Sequence, residues 1–203
     1  MTVTFVSQSV SLDGYSAGPD VSADHPMGIG GERLHDWLFA DGGDRDAAVE
    51  AIAPRGVDAE VAEVIRERIG AVVIGRRMFD VGVGLWEDTP FPVPTVVLTH
   101  ETRPPLPMKS AEFTFTGDVA DAHRRAVAAA AGRDVEVMGG AHTIREFLRA
   151  GLIDEVQLQL VPILLGGGTR LFDDLGATTA AFERTTVIES PRVVHLHYRV
   201  LRA

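Results

Sequence analysis

Two pairs of residues in this sequence have the chemistry and the setting to bind an anion. Gly139-Gly140 stands between the run Val135-Glu136-Val137-Met138 and a segment in which Ile144, Phe147 and Leu148 recur at helical spacing. An alternating apolar run that passes through two glycines into a helix turns bare backbone N–H groups outward, and a helix N-terminus favours negative charge. The spacing allows a phosphate cradle, and equally an ordinary tight strand-to-helix turn. Arg76-Arg77 directly follows Ala71-Val72-Val73-Ile74-Gly75, a continuous apolar run of the kind a doubly covered strand requires. Guanidinium forks at the carboxyl end of a parallel strand lie where open α/β sheets hold ligands, and they match phosphate oxygens; the alternative is a solvated helix start.

If the ligand at Arg76-Arg77 is a dinucleotide, arginine there argues for a 2′-phosphate, and so for NADPH over NADH. The remaining candidates are weaker. Gly166-Gly167-Gly168-Thr169 lacks the Gly-Lys-Ser/Thr ending of a nucleoside-triphosphate loop, and Val81-Gly82-Val83-Gly84 is half of a dinucleotide fingerprint with Glu87 at the third glycine position. His195 and His197 flank Leu196 in a strand pattern, which sets them on one face about 7 Å apart. No further histidine or acidic cluster has metal-motif spacing, so a solvated strand face is expected there. The other histidines, among them His25, His35, His100 and His123, are scattered. Asp13 follows the first strand and can face a cleft or simply serve an Asp-Gly turn with Gly14. Asp36 belongs on the surface unless its helix walls a pocket.

These groups need a scaffold, and the periodicities supply one. Thr2–Val10 reads as a first strand, Ala17–Gly31 as a loop, and Glu32–Phe39 as a short helix with Leu34, Trp37 and Leu38 at i, i+3, i+4. Asp41–Gly56 is weakly patterned. Asp58 is placed to cap a helix through Ile69 that Gly70 stops, with Val61, Val64, Ile65 and Ile69 as its stripe. Strands follow at Ala71–Ile74, Thr95–Thr99 and Phe113–Thr116, with Val81–Pro94 as a loop and Arg103–Pro107 as a surface connection. Asp118 caps a helix over Ala120–Ala131, and Gly151 ends the helix after Gly139-Gly140. Glu155–Val161 alternates as a strand, Pro162–Phe172 is a Gly-rich loop, and Phe182–Glu189 with Val193–Val200 forms an antiparallel pair. The alternation predicts an α/β fold with a mostly parallel sheet and a C-terminal antiparallel hairpin, in one domain over residues 1–203.

Composition narrows the function. The 203 residues are 45% hydrophobic, which suffices for a sizeable core. With 19 basic and 29 acidic residues the net charge is −10, so nucleic acid and anionic membranes are not expected partners. Any anionic ligand must be held by a local site that overcomes this field. There is no cysteine, which excludes disulfides, thiolate metal sites and a cysteine nucleophile. Only Lys109 among the basic residues is lysine, so cationic contacts elsewhere fall to arginine or histidine. Neither a secretory leader nor a run of about 18 apolar residues is present, and a cytoplasmic location is expected.

Four motifs then occur in order: Ser11-Leu12-Asp13-Gly14, Ile74-Gly75-Arg76-Arg77-Met78-Phe79, Val137-Met138-Gly139-Gly140, and Pro162-Ile163-Leu164-Leu165-Gly166-Gly167-Gly168-Thr169-Arg170-Leu171-Phe172. Together they resemble the dihydrofolate-reductase-like superfamily, in the branch of stand-alone proteins similar to the C-terminal reductase domain of the riboflavin-biosynthesis deaminase/reductase. The resemblance covers essentially the whole chain. It implies a three-layer fold with a central, mostly parallel sheet of about eight strands, often dimeric, that binds NADPH. It assigns the adenosine and 2′-phosphate to Gly75, Arg76, Arg77 and Met78, with Thr99 and His100 beside them. It assigns the pyrophosphate to Gly139, Gly140, Ala141, His142 and Thr143, and sets Asp13 and Gly14 beside the nicotinamide. The implied chemistry is hydride transfer from nicotinamide C4 to a C=N or C=O carbon with a proton delivered to the neighbouring atom. The family-level activity is that of 5-amino-6-(5-phosphoribosylamino)uracil reductase; a non-catalytic nucleotide-binding or interaction protein on the same fold is the alternative.

Two departures bear on the substrate. No Pro-Trp precedes the first helix, where dihydrofolate reductase carries its buried carboxylate, and only Glu32 or Asp36 could stand in. The stretch Tyr15–Gly31, where the riboflavin-pathway enzyme grips a ribose phosphate, has no Lys or Arg and carries Asp20 and Asp24. The first argues against ordinary folate reduction and the second against a ribose phosphate, which leaves a small organic substrate without a phosphate as the expectation.

Overall fold

The computed structural model describes residues 1–39, 54–176 and 180–201. Most of the weakly patterned stretch 41–56 lies outside these. Continuous apolar runs form the central strands because both faces are covered. β3 (Ile69–Gly75) is buried at every residue, and β4 (Thr95–Leu98) lies beside it. With β1 (Thr4–Ser11), β6 (Glu112–Thr116), β7 (Asp134–Gly139) and β8 (Glu155–Val161) they form a parallel array in the order β8-β1-β7-β3-β4-β6. Beyond β8, β11 (Val194–Leu201) and β10 (Ala181–Glu189) add the expected antiparallel hairpin. At the other edge the two-residue β5 (Leu106–Pro107), inside the expected surface connection, pairs antiparallel with β6. Among the described residues the sheet thus has nine strands.

Helices cover both faces. α3 (Val119–Ala129) and α4 (Ala141–Arg149) bury Ala122, Ala126, Ile144, Phe147 and Leu148 against Val6, Val73, Val135 and Val137. On the other face α1 (Val57–Arg68) and α2 (Arg76–Trp86) bury Val61, Ile65 and Phe79 against Phe5, Val72, Ile74 and Phe113. Each such side chain removed from water is worth about 1.5–3 kcal/mol, which fixes the helices over the strands whose ends they extend. The 3-10 segment Gly31–Leu38 buries Leu34 and Trp37 against Val161 and Val193, a third small cluster.

The structure corrects several expectations. α2 continues through Trp86, where the sequence suggested a loop from Val81. Its Gly82 is tolerated because the Trp86 ring folds over it; a Cβ there would lie 2.3 Å from the indole. α1 begins after Gly56, and Asp58 does not cap it; that carboxylate is buried against the sheet. The helix yields to strand at Ile69, so Gly70 lies within β3. His195 is buried and His197 half-buried, so the pair does not form a solvated face. α1 and the 3-10 segment cover that side of β11, and His195 Nε2 lies 2.9 Å from Asp58 Oδ1 with the Trp37 ring edge-on at 5.1 Å. The Ala17–Gly31 loop is preceded by β2 (Tyr15–Ala17), which pairs with β9 (Thr169–Arg170) inside the expected Gly-rich loop. Alternation failed here because these are two- and three-residue strands, too short to carry a period.

Candidate functional site

The two anion signals are neighbours. β7 and β3 run side by side with Ile74 opposite Gly139, and β3 and β4 pair with Gly75 opposite Leu98. Gly75, Thr99 and Gly139 therefore stand in a row at the carboxyl edge of the sheet. The first turn of α4 leans over the end of β3: a Cβ on Gly75 would lie 2.4 Å from Thr143 Oγ1, and Thr143 is buried. Glycine at 75 is a packing requirement. Gly139 has φ +129, in the region reserved for glycine, and its peptide bond to Gly140 is cis. A Cβ on Gly140 would meet nothing within 4 Å, so the space above this residue is open.

What fills a helix start decides whether it can take a ligand. α3 is capped by its own Asp118, whose carboxylate accepts from Asp121 N at 2.6 Å. Neither α2 nor α4 has a side-chain cap; their N-cap residues are Gly75 and Gly140. The first N–H groups of each, in α4 those of Ala141, His142 and Thr143, have no partner within their helix. His142 is exposed and Ala141 buried. Thr99 is buried, its Oγ1 accepting from Glu101 N at 3.2 Å, while His100 is exposed and Met78 half-buried.

A crevice opens beside this row. β1 pairs with β7 only at Thr4 and Phe5, yet pairs with β8 from Phe5 to Ser11. Past Phe5 the carboxyl halves of β1 and β7 are unpaired with each other, and Gln8 of β1 comes near Gly139; its Oε1 would be 3.5 Å from a Cβ there. The chain then crosses from β7 through α4 to β8 on the far side of β1. Such a reversal of strand order is where open α/β sheets hold their ligands.

Asp13 sits at the end of β1 as a clasp. Its carboxylate accepts from Ser11 Oγ at 2.6 Å, Leu165 N at 3.2 Å and Gly166 N at 2.8 Å. The Ser11 hydroxyl and then the two amides hold its pKa down at about 2. Arg170 donates to the Asp13 carbonyl at 2.7 Å and stacks over Tyr15 at 4.5 Å, while Leu12 N and Gly14 O bond to Ile163 O and Leu171 N. The Ser-Leu-Asp-Gly turn and the Gly-rich loop are thus one structure, in which a Cβ on Gly168 would lie 2.1 Å from Ala17 O. Asp36 is half-buried on the 3-10 segment, and its carbonyl accepts from Arg192 at 3.1 Å.

The arginine pair is divided. Arg76 Nε donates to both oxygens of Asp80 at 2.8 and 2.6 Å, and Arg76 Nη1 pairs with Glu101. Both carboxylates raise its pKa, Asp80 foremost. Arg77 is exposed, and among the described residues it pairs with no carboxylate. Sequence reasoning missed Gln8, Arg170, Asp80 and Glu101. Asp80 was legible as the i+4 partner of Arg76; Glu101 depends on which strands are adjacent. Two cavities of about 420 and 290 Å³ open elsewhere, one beside Pro94, Glu112 and Ala129, the other beside Val64, Gln157 and Tyr198. Among the described residues no group of three His, Asp or Glu could hold a metal, and no helix is long and apolar enough to cross a membrane.

The model of the RibD C-terminal domain matches residues 2–196. The chain belongs to that family. A putative riboflavin biosynthesis protein from Shewanella sp. PV-4 superimposes with TM-score 0.72 at 24% identity, over 99% of this chain and 100% of that one. The deaminase/5-amino-6-(5-phosphoribosylamino)uracil reductase of Thermotoga maritima gives 0.58 at 13% identity, over 98% of this chain and 57% of that one. Enterococcus faecalis dihydrofolate reductase complexed with NADP(H) gives 0.52 at 15%, over 98% and 96%. The dihydrofolate-reductase-like fold is therefore the fold of this chain. In sequence it is similar to two uncharacterized Bacillus subtilis proteins: YwjB, at 25% identity over 65% of this chain and 74% of that protein, and YyaP, at 43% over 44 residues. The latter stretch spans 23% of the length of YyaP.

Proposed function

We propose that the protein is an NADPH-dependent reductase of a small organic substrate without a phosphate group. The observation that carries this is the pairing of two uncapped helix starts, α2 and α4, beside one crevice, in a chain of the RibD C-terminal domain family. The residues fit the cofactor. The open space over Gly140 and the amides of Ala141, His142 and Thr143 suit a pyrophosphate. Arg77, with Arg76 beside it, suits the 2′-phosphate, and Met78 and Thr99 border the adenosine. Gly14 and Asp13 border the nicotinamide end. When bound, the nicotinamide supplies a hydride for an electrophilic C=N or C=O carbon.

The chain's own contribution is position and charge. Asp13 is held ionised by Ser11, Leu165 and Gly166, so it orients the β1 turn against the Gly-rich loop and does not deliver a proton at neutral pH. Asp36 is the half-buried acid of the 3-10 segment and the residue we assign to proton delivery. The loop between β2 and that segment has acidic residues and no Lys or Arg, which disfavours a ribose phosphate as substrate. Exposed Phe182, Val187 and Leu201 on the terminal hairpin suit pairing with a second copy, so we infer a homodimer that sedimentation equilibrium would detect.

NADPH titration followed by quenching of Trp86, which lies on α2, tests the reading. Saturable quenching in folded protein is expected, and its absence would remove the reductase assignment. Turnover of the ribosylaminopyrimidine at high enzyme concentration would instead restore the family's own substrate.

A further inference from the structure

The adenosine end of the site contains a carboxylate that neither the anion motifs nor the family resemblance calls for. Glu101 lies two residues past Thr99 at the end of β4, next to the end of β3. One of its oxygens pairs with Arg76 Nη1, and the other accepts from Arg103 Nη2 at 3.1 Å and Nε at 3.2 Å. Asp80 takes Arg76 Nε. The guanidinium expected to meet a 2′-phosphate is therefore already engaged on two sides by negative charge. Arg77 alone of the pair lacks such a partner among the described residues.

We propose that Glu101 sets the nucleotide selectivity of this site, competing with a 2′-phosphate for Arg76 and offering an acceptor to a free 2′-hydroxyl. The inference rests on the nicotinamide-cofactor reading above. A phosphate dianion reaching Arg76 must displace the Glu101 carboxylate or sit beside it, whereas a ribose hydroxyl can donate to it. An acidic residue at a strand end near the adenosine ribose selects for the unphosphorylated dinucleotide in α/β sheets generally, and an arginine there selects for the phosphorylated one. This site has both, joined to each other. Arg103 turns the second Glu101 oxygen away from Arg76, so displacement leaves the carboxylate with a partner. The consequence is a narrowed preference for NADPH over NADH, where the arginine pair unopposed would give a wide one.

The test is direct binding of each nucleotide, followed by its own reduced-nicotinamide fluorescence, to wild type and Glu101→Gln. Glu101 is exposed and the change is nearly isosteric, so folding is not at issue. E101Q is expected to bind NADPH about threefold to tenfold tighter and NADH about twofold weaker, with the NADPH gain shrinking at high ionic strength. An unchanged ratio of the two affinities in E101Q, or a gain insensitive to salt, would overturn the role of Glu101 while leaving the cofactor reading intact. Failure of wild type and variant to bind either nucleotide would overturn both.

Discussion

Two helices begin at the same edge of the same sheet and treat their exposed amides in opposite ways. α3 follows β6, and Asp118 folds back onto Asp121 N, so the helix supplies its own anion. α4 follows β7 through Gly139-Gly140, with no side-chain cap and open space above the glycine. A cap of the Asp118 kind is worth about 1 kcal/mol. The chain forgoes that stability at α4, and at α2, where the helices flank the crevice. It keeps it at α3, two strands beyond β3. α1 also starts at a glycine without a side-chain cap, so a bare start alone does not mark a site; what sets α4 apart is the open space over Gly140 at the strand-order reversal.

The comparison can be broken by exchanging the two solutions. Gly140 has φ −66 and ψ −177, a conformation open to any L-residue, and room for a side chain. Gly140→Asp should cap α4, raise Tm by about 2–4 °C and weaken NADPH by roughly a hundredfold as the new carboxylate takes the phosphate's amides. Calorimetry and titration on the same preparation would see both. Gly75→Ala attacks the seat of α4, forcing Thr143 to move and costing about 1–3 kcal/mol. Adding Thr143→Ala removes the 2.4 Å contact and should restore most of that stability; without restoration in a double-mutant cycle, Thr143 is not what requires glycine at 75. Asp118→Ala should cost about 1 kcal/mol and leave NADPH affinity unchanged.

A second contrast, between two carboxylates, sets the pH behaviour. Asp13 has its pKa lowered to about 2, foremost by the Ser11 hydroxyl. Its contribution to stability is present above the unfolded value near 3.8 and disappears as pH falls toward 2. Glu136, between Phe5 and Val72 in the core, has its pKa pushed up to about 8 by desolvation, with Arg68 opposing. It is neutral in the folded protein and ionised when unfolded between 4.5 and about 8, so stability falls as pH rises through that window. Glu136→Gln should flatten that decline and raise Tm at pH 8 by a few degrees, roughly; a decline that survives the substitution assigns it to another group.

The sequence was most legible where one period dominated. β3, β4, α3 with its Asp118 cap and the β10–β11 hairpin follow from runs and spacing alone. So do Gly139-Gly140 and Arg76-Arg77, since strand ends with glycine or arginine announce themselves locally. Its reading failed where a residue's role depends on a remote neighbour. Asp58 has the type and place of a cap, yet it turns to His195, 137 residues away. Glu136 interrupts Val135 and Val137 as a solvent-facing residue would, but the second helical layer buries it. Glu101 is an ordinary loop acid until β4 is known to lie beside β3. Asp13 was visible as a turn residue, and its two amide donors, in a loop about 150 residues on, were not.

The claim that the bare start of α4 is a pyrophosphate site can be read amide by amide. In an NMR titration of ¹⁵N-labelled protein with NADPH, the N–H signals of Gly140, Ala141, His142 and Thr143 should shift saturably, while that of Asp121 under its own cap stays in place. Saturable binding with those four signals unmoved would contradict the account.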